Sequence, residues 1–229
     1  VIPMQLIKDM WQKLGLKTVI TAYGLSETCG LVTMCRRGDD AHTIATTSGR
    51  SIPNIDVAIF DHQGHALAPM ETGEIVVKGF NVMRGYFENP QATAETIDRE
   101  GWLHTGDICT WDVEGFITIC DRKKDMVISG GENIYPAELE NVLAACPDVQ
   151  EAAVIGIPSV KWGETPLALV VAATGASPTN ETLQQWCKDH LAGYKVPQLY
   201  KIVDHLPRNP SGKLLKPKLR EQYPGPAPF

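Results

Sequence analysis

The chain has 229 residues, 43% hydrophobic and 21% charged, with a formal net charge of −6. That composition can bury one large or two ordinary cores and excludes general disorder. The negative balance argues against broad binding to nucleic acid or to an anionic membrane, both of which need a positive field.

The first segment, VIPMQLIKDMWQKLG, sets Ile2, Leu6, Met10 and Leu14 at helical spacing before Gly15 and predicts an amphipathic helix. It starts without a cap or an initiating Met, so the chain is expected to continue a longer one. KTVITAYG predicts a buried strand ending at Gly24, and residues 25–50 read as loop. From 54 to 121 the pattern is β. NIDVAIFD, TGEIVVKG and GFITICD are short runs separated by turn residues, with a short helix at 90–98 opening on Pro90. A small barrel or sandwich is expected.

After residue 121 helices and strands alternate. YPAELENVLAAC is a helix with Pro136 in its first turn and Pro147 beyond its end. QEAAVIGIP, PLALVVAAT and QLYKIVD read as strands, and TNETLQQWCKDHLAG as a capped helix. The division is 1–121 and 122–229, the second part a compact α+β domain. The tail YPGPAPF is expected to be disordered.

The six cysteines, at 29, 35, 109, 120, 146 and 187, form no C-x-x-C pair and indicate a reducing, cytoplasmic setting. His62 and His65 flank a polar turn rather than a metal site. No apolar run reaches membrane-spanning length, and no signal peptide or transmembrane segment is expected.

Four clusters are chemically suggestive, and each has a plainer reading. YGLSETCG places Ser26, Glu27 and Thr28 just after a strand, where hydroxyls and a carboxylate suit phosphate and Mg²⁺; an ordinary Gly/Ser/Thr loop would look similar. GWLHTGD ends in Asp107 behind a glycine turn, fit to hold a ribose diol or only to shape the turn. DRKKD reads as a solvated charge run. LPRNPSGKLLK carries Lys213 beyond a flexible tip, as a mobile positive charge or one more surface lysine.

Taken in order, Y-G-x-S-E, T-G-D, D-R-x-K-D followed by G-E-N-I-x-P-x-E-x-E, and N-P-S-G-K resemble the adenylate-forming superfamily of acyl-CoA synthetases, adenylation domains and luciferases. The resemblance covers nearly the whole chain. It implies a mixed α/β and β fold: the end of the large N-terminal domain, mainly its β-barrel subdomain, followed by a small, mobile α+β C-terminal domain. It also implies that Glu27 helps hold Mg²⁺, that Tyr23, Gly24 and Ser26 lie around the adenylate, and that Asp107 and Arg122 bind ribose. Lys124 matches the hinge, Lys213 the catalytic lysine, and Gly131 the glycine lining a channel for the pantetheine arm of CoA. Trp162 and Tyr194 match places where some ligases set aromatic residues near CoA, though packing explains Trp162 as well. Gly130 and Gly131 could instead serve only a positive-φ turn.

The activity implied is a carboxylic acid–CoA ligase, most like the fatty-acid type, using ATP, Mg²⁺ and CoA on a small-molecule acid. The family's phosphate loop has no counterpart here, so the N-terminal portion of the same enzyme is missing and the chain alone is expected to be inactive. The alternatives are an adenylation domain that loads a carrier protein and a non-catalytic module.

Overall fold

A computed structural model describes residues 4–225. Ile2 of the expected first helix and the last four residues of the tail lie outside the described residues. The chain divides into two compact units, Val1–Lys123 and Lys124–Phe229.

The first unit opens with α1 (Met4–Gln12), whose Ile7 is fully buried with Cys35 and Ile44. The expected buried strand shortens to β1 (Ala22–Tyr23), which pairs with β2 (Thr33–Met34). Ile20 is 44% exposed, contrary to expectation. Among the described residues β1 has a ladder on one side only, so β-branched residues there have no second strand to pack beside. The stretch read as loop also holds α2 (Ala41–Thr46), capped by Asp40, and β3 (Arg50–Ser51), which pairs with β2.

β4 (Ile55–Phe60) and β5 (Gly73–Gly79), expected from short runs between turn residues, form an antiparallel pair. α3 (Pro90–Thr96) starts at its proline, with Asn89 as cap. β6 (Leu103–Trp111) occupies the segment read as a glycine turn, and β7 (Ile117–Arg122) closes the order β4-β5-β6-β7. Gly106 does take a positive φ of 70°, but it sits inside a nine-residue strand, and Asp107 faces Arg122 across the ladder. The register shift between Ile108 and Cys109 is a β-bulge, which changes the local twist of the strand. The edge of β7 is stitched to the chain before β3: Ile117 donates to the Gly49 carbonyl (2.9 Å) and accepts from the Ser48 amide (2.7 Å). Val32, Ile59, Ile75, Cys109 and Ile117 form the shared core.

The second unit begins with a 3₁₀ turn and a tight hairpin, β8 (Val127–Ser129) and β9 (Glu132–Ile134). Its two-residue turn is Gly130–Gly131, with φ of 61° and 89°. A hairpin loop of this length wants positive φ at both positions, and glycine supplies it without a Cβ clash. Val127 is fully buried, whereas Ile128 is 51% exposed, because neighbouring strand residues face opposite ways. α4 (Pro136–Ala144) follows, with Pro136 in its first turn.

β10 (Val149–Ser159) and β11 (Gly163–Ala172) form the long central pair, with β12 (Leu199–Ile202) parallel to β11. Alternate residues feed two cores: Val154, Ala168 and Val170 join Leu139 and Leu183, while Ile155, Leu167 and Leu169 join Leu206 and Leu219. Both faces are therefore covered, which is why these strands read as continuous apolar runs. α5 (Asn180–His190) is capped reciprocally by Thr179 and Thr182, and its Trp186 donates to the Val142 carbonyl at the end of α4. α6 (Lys216–Gln222) seals the second core through Leu219, 1% exposed. Burying a leucine of this kind stabilises by about 1.5–3 kcal/mol. Among the described residues no helix is long and apolar enough to cross a membrane.

Candidate functional site

In the first unit the loop after β1 is closed on itself by backbone geometry. A Cβ on Gly24 would lie 2.4 Å from the Gly30 carbonyl oxygen, so only glycine lets the loop fold back on itself. Thr28, fully buried, bonds both the amide and the carbonyl of Leu25 (3.0 Å each). Asn81 donates to the Leu31 carbonyl (2.8 Å), and the Met83 amide donates to the Glu27 carbonyl (2.8 Å). The loop therefore presents Glu27 in a fixed place. Its Oε1 accepts from the Tyr86 hydroxyl at 2.8 Å. Ser26 is exposed on the same turn.

Asp107 is 3% exposed and acts as a hub. Its Oδ2 accepts from the Tyr23 hydroxyl at 2.6 Å, and its Oδ1 pairs with Arg122 Nε at 2.6 Å. Burial, and then the bond to Asp107, push the Tyr23 hydroxyl far above its usual range, so it remains a donor. Glu74, 6% exposed, accepts from Lys123 Nζ (2.9 Å) and the Gly106 amide (2.9 Å), with His104 Nδ1 at 3.2 Å. Burial alone would raise its carboxyl; these partners outweigh burial and hold it below the usual range.

These groups surround a cleft of about 450 Å³ whose walls include Glu27, Glu74, Tyr86, His104, Arg122 and Lys123. Tyr23 and Asp107 stand behind Arg122 rather than in the wall. Sequence reasoning missed Glu74, Tyr86, His104 and Lys123. A charged residue inside the apolar run GEIVV was a visible signal for Glu74; Tyr86, 59 positions from Glu27, gave none.

In the second unit Gly130, Trp162 and Tyr194 line one cavity of about 340 Å³. The Gly130 amide donates to the Trp162 carbonyl (2.8 Å), and a Cβ on Gly130 would meet the Trp162 ring at 2.8 Å. Trp162 and Tyr194 are 45% and 52% exposed, and Lys161 Nζ lies over the Trp162 ring, 4.4 Å from its centroid. Gly131, at the other corner of the turn, has open space where a Cβ would point. Lys124 opens the unit inside the 3₁₀ turn Lys123–Asp125, and Lys213 sits on an exposed hairpin tip between β12 and α6.

The sequence profile of the AMP-binding enzyme family matches residues 1–87, and that of the AMP-binding enzyme C-terminal domain matches residues 138–213. The chain belongs to the adenylate-forming superfamily. A methyl-dioxo-octahydro-indenyl-propanoyl:CoA ligase of Rhodococcus jostii is 49% identical over 96% of the chain and 41% of its own length. A long-chain-fatty-acid–CoA ligase of Escherichia coli is 40% identical over 96% of the chain and 39% of its length. The o-succinylbenzoate-CoA synthetase of Bacillus subtilis, solved with its acyl-adenylate intermediate, superposes with a TM-score of 0.83 at 38% identity, over 95% of this chain and 44% of that one. The chain thus spans about two-fifths of the length of these adenylate-forming relatives.

Proposed function

We propose that this chain is the C-terminal part of an AMP-forming carboxylic acid–CoA ligase. ATP and an acid would give acyl-AMP and pyrophosphate, and CoA thiol would then displace AMP. The observation that supports this best is the Tyr23–Asp107–Arg122 arrangement beside a cleft that carries Glu27. A buried carboxylate held from two sides by Tyr23 and Arg122 is preorganised for a ribose diol, and Arg122 stands in the cleft wall to meet it.

Glu27 suits Mg²⁺ in one respect: Oε2 has no hydrogen bond among the described residues, and Mg²⁺ commonly takes one or two carboxylates plus substrate phosphates. No group of three or more His, Cys, Asp or Glu able to hold a metal occurs among the described residues, so phosphate and water would complete the shell. When bound, the ion would neutralise phosphate charge. The protein's own part is positioning. The loop carrying Gly24, Ser26 and Glu27 faces the nucleotide with Tyr23 behind it on Asp107, Arg122 steadies the ribose, and Lys213 supplies positive charge to the reacting carboxylate and α-phosphate. Lys124 is the hinge on which the second unit, 122–229 by sequence, turns between half-reactions. Gly131, Trp162 and Tyr194 then receive CoA.

The acid itself is an open choice between a fatty chain, which the wording SGGENIYPAELE favours, and a ring-bearing acid such as those named for two of the relatives. Free cysteines throughout fit a reducing cytoplasm. The test is AMP release by the full-length enzyme with CoA, using a panel of long-chain fatty acids and ring-bearing propanoates. CoA-dependent release with one class identifies the substrate; release only with a pantetheinyl carrier protein overturns the ligase reading in favour of carrier loading.

A further inference from the structure

Six lysines and arginines cluster in the last thirty described residues of the second unit, and three of them have a carboxylate partner. Lys216 pairs with Glu140 (2.8 Å), Arg220 with Asp125 (2.8 Å), and Arg208 with Glu151. Lys213 Nζ makes no hydrogen bond or ion pair among the described residues, yet its backbone is closely held. The Lys213 amide donates to Asn209 Oδ1 (2.8 Å), the Asn209 amide to the Lys213 carbonyl (2.9 Å), and the Gly212 amide to the Asn209 carbonyl (2.9 Å). Arg208 and Leu214 bridge antiparallel at the base of the tip. Gly212 takes a φ of 84° at the corner.

Arg208 links this tip to the sheet. One guanidinium nitrogen donates to the Gly212 carbonyl at 2.7 Å, and the other pairs with Glu151 on β10. The planar fork spans both acceptors at once, which a lysine ammonium cannot do with the same geometry. A tip carrying an unpaired amine is thereby tied to β10, one of the two long strands of the unit.

We propose that Arg208 is a positioning residue for Lys213: it fixes the hairpin so that the free amine is presented in one place. This rests on the reading of Lys213 as the charge supplied during adenylation. Fixing the tip beforehand removes an ordering cost that would otherwise fall on the transition state.

The experiment compares Arg208→Ala, Arg208→Lys and Lys213→Ala in the full-length enzyme. Amide hydrogen exchange over residues 209–215, pyrophosphate exchange, and thioester formation from supplied acyl-AMP are measured on each. Arg208→Ala should exchange about tenfold faster at the tip and adenylate about tenfold more slowly, in line with one charge-assisted bond. Thioester formation should stay within a few-fold of normal. Arg208→Lys should move the same way, since it keeps the charge and loses the fork. Unchanged exchange at the tip in both variants overturns the brace. Faster exchange with normal adenylation, while Lys213→Ala remains slow, overturns the positioning role. Equal loss in both half-reactions with a lowered melting temperature makes Arg208 a general support and overturns the proposal too. A Lys213→Ala enzyme with normal adenylation instead removes the reading of Lys213 beneath it.

Discussion

The two units solve the placement of functional groups in opposite ways. In the first, charged side chains are buried and interlocked: Asp107 is 3% exposed and Glu74 6%, and each has several partners. In the second, the groups of interest are exposed, with Trp162 at 45% and Tyr194 at 52%, and it is backbone that is fixed, by paired glycines and by the Asn209 turn. Side-chain networks hold a group still but couple it to stability. Turns present a group cheaply and leave the fold indifferent to its identity. Substitutions should therefore separate: stability moves with the first unit, one half-reaction with the second.

The largest expected effect is at Lys213. In the full-length enzyme Lys213→Ala should slow pyrophosphate exchange by about 10²- to 10³-fold, as for loss of one preorganised donor. The melting temperature should hold steady, because the amine makes no hydrogen bond or ion pair among the described residues. A fall in stability instead would erase the contrast between the units.

Tyr23→Phe tests the opposite case. It strips one partner from a buried carboxylate and should cost about 1–3 kcal/mol, seen as a lower denaturation midpoint with an unchanged slope. An unaltered midpoint would mean Asp107 is satisfied without the Tyr23 hydroxyl.

Gly131 distinguishes turn from channel. Gly131→Asn adds bulk but tolerates the 89° φ better than a branched or long apolar residue, and should lower stability by less than about 1 kcal/mol. If the glycine lines a path for CoA, AMP release that depends on CoA should fall while pyrophosphate exchange stays within a few-fold. Normal activity in both, with Gly131→Leu merely less stable, assigns the glycine to the hairpin alone.

The smallest effect belongs to Glu74. Its folded carboxyl titrates below the ordinary value of 4.5, so the unfolded chain binds the proton first. The resulting stabilisation is present above that ordinary value and is lost as pH falls through the folded one. Chemical denaturation of wild type and Glu74→Gln at neutral and at acid pH should show the gap between them narrowing on acidification. A constant gap would mean the carboxylate's charge contributes nothing.

Local chemistry made much of the fold legible. Pro90, Pro136 and Thr179 mark helix starts where the structure has them, and short runs between turn residues mark β4, β5 and β7. β6 was hidden because Gly106 reads as a turn, while in the fold its positive φ is absorbed inside the strand, one residue before the Asp107–Arg122 pair. α2 and α6 are six and seven residues long, too short to show a helical period. In the candidate site, Tyr23, Glu27, Asp107 and Arg122 stood out as motif residues. Tyr86, His104 and Lys123 did not, because their meaning lies in partners about 30 to 60 positions away along the chain, and a single sequence carries no record of such pairing.

The cores also leave each unit with its own sealed thiols. Cys35 and Cys109 are 1% and 0% exposed in the first, and Cys146 and Cys187 are 8% and 0% exposed in the second. Burial raises the Cys109 and Cys187 thiols, so they are unreactive until their surroundings open. A pulse of alkylating reagent read by mass spectrometry would accordingly time the opening of each unit separately in one sample. The protein thus carries two native clocks, readable at its own cysteines.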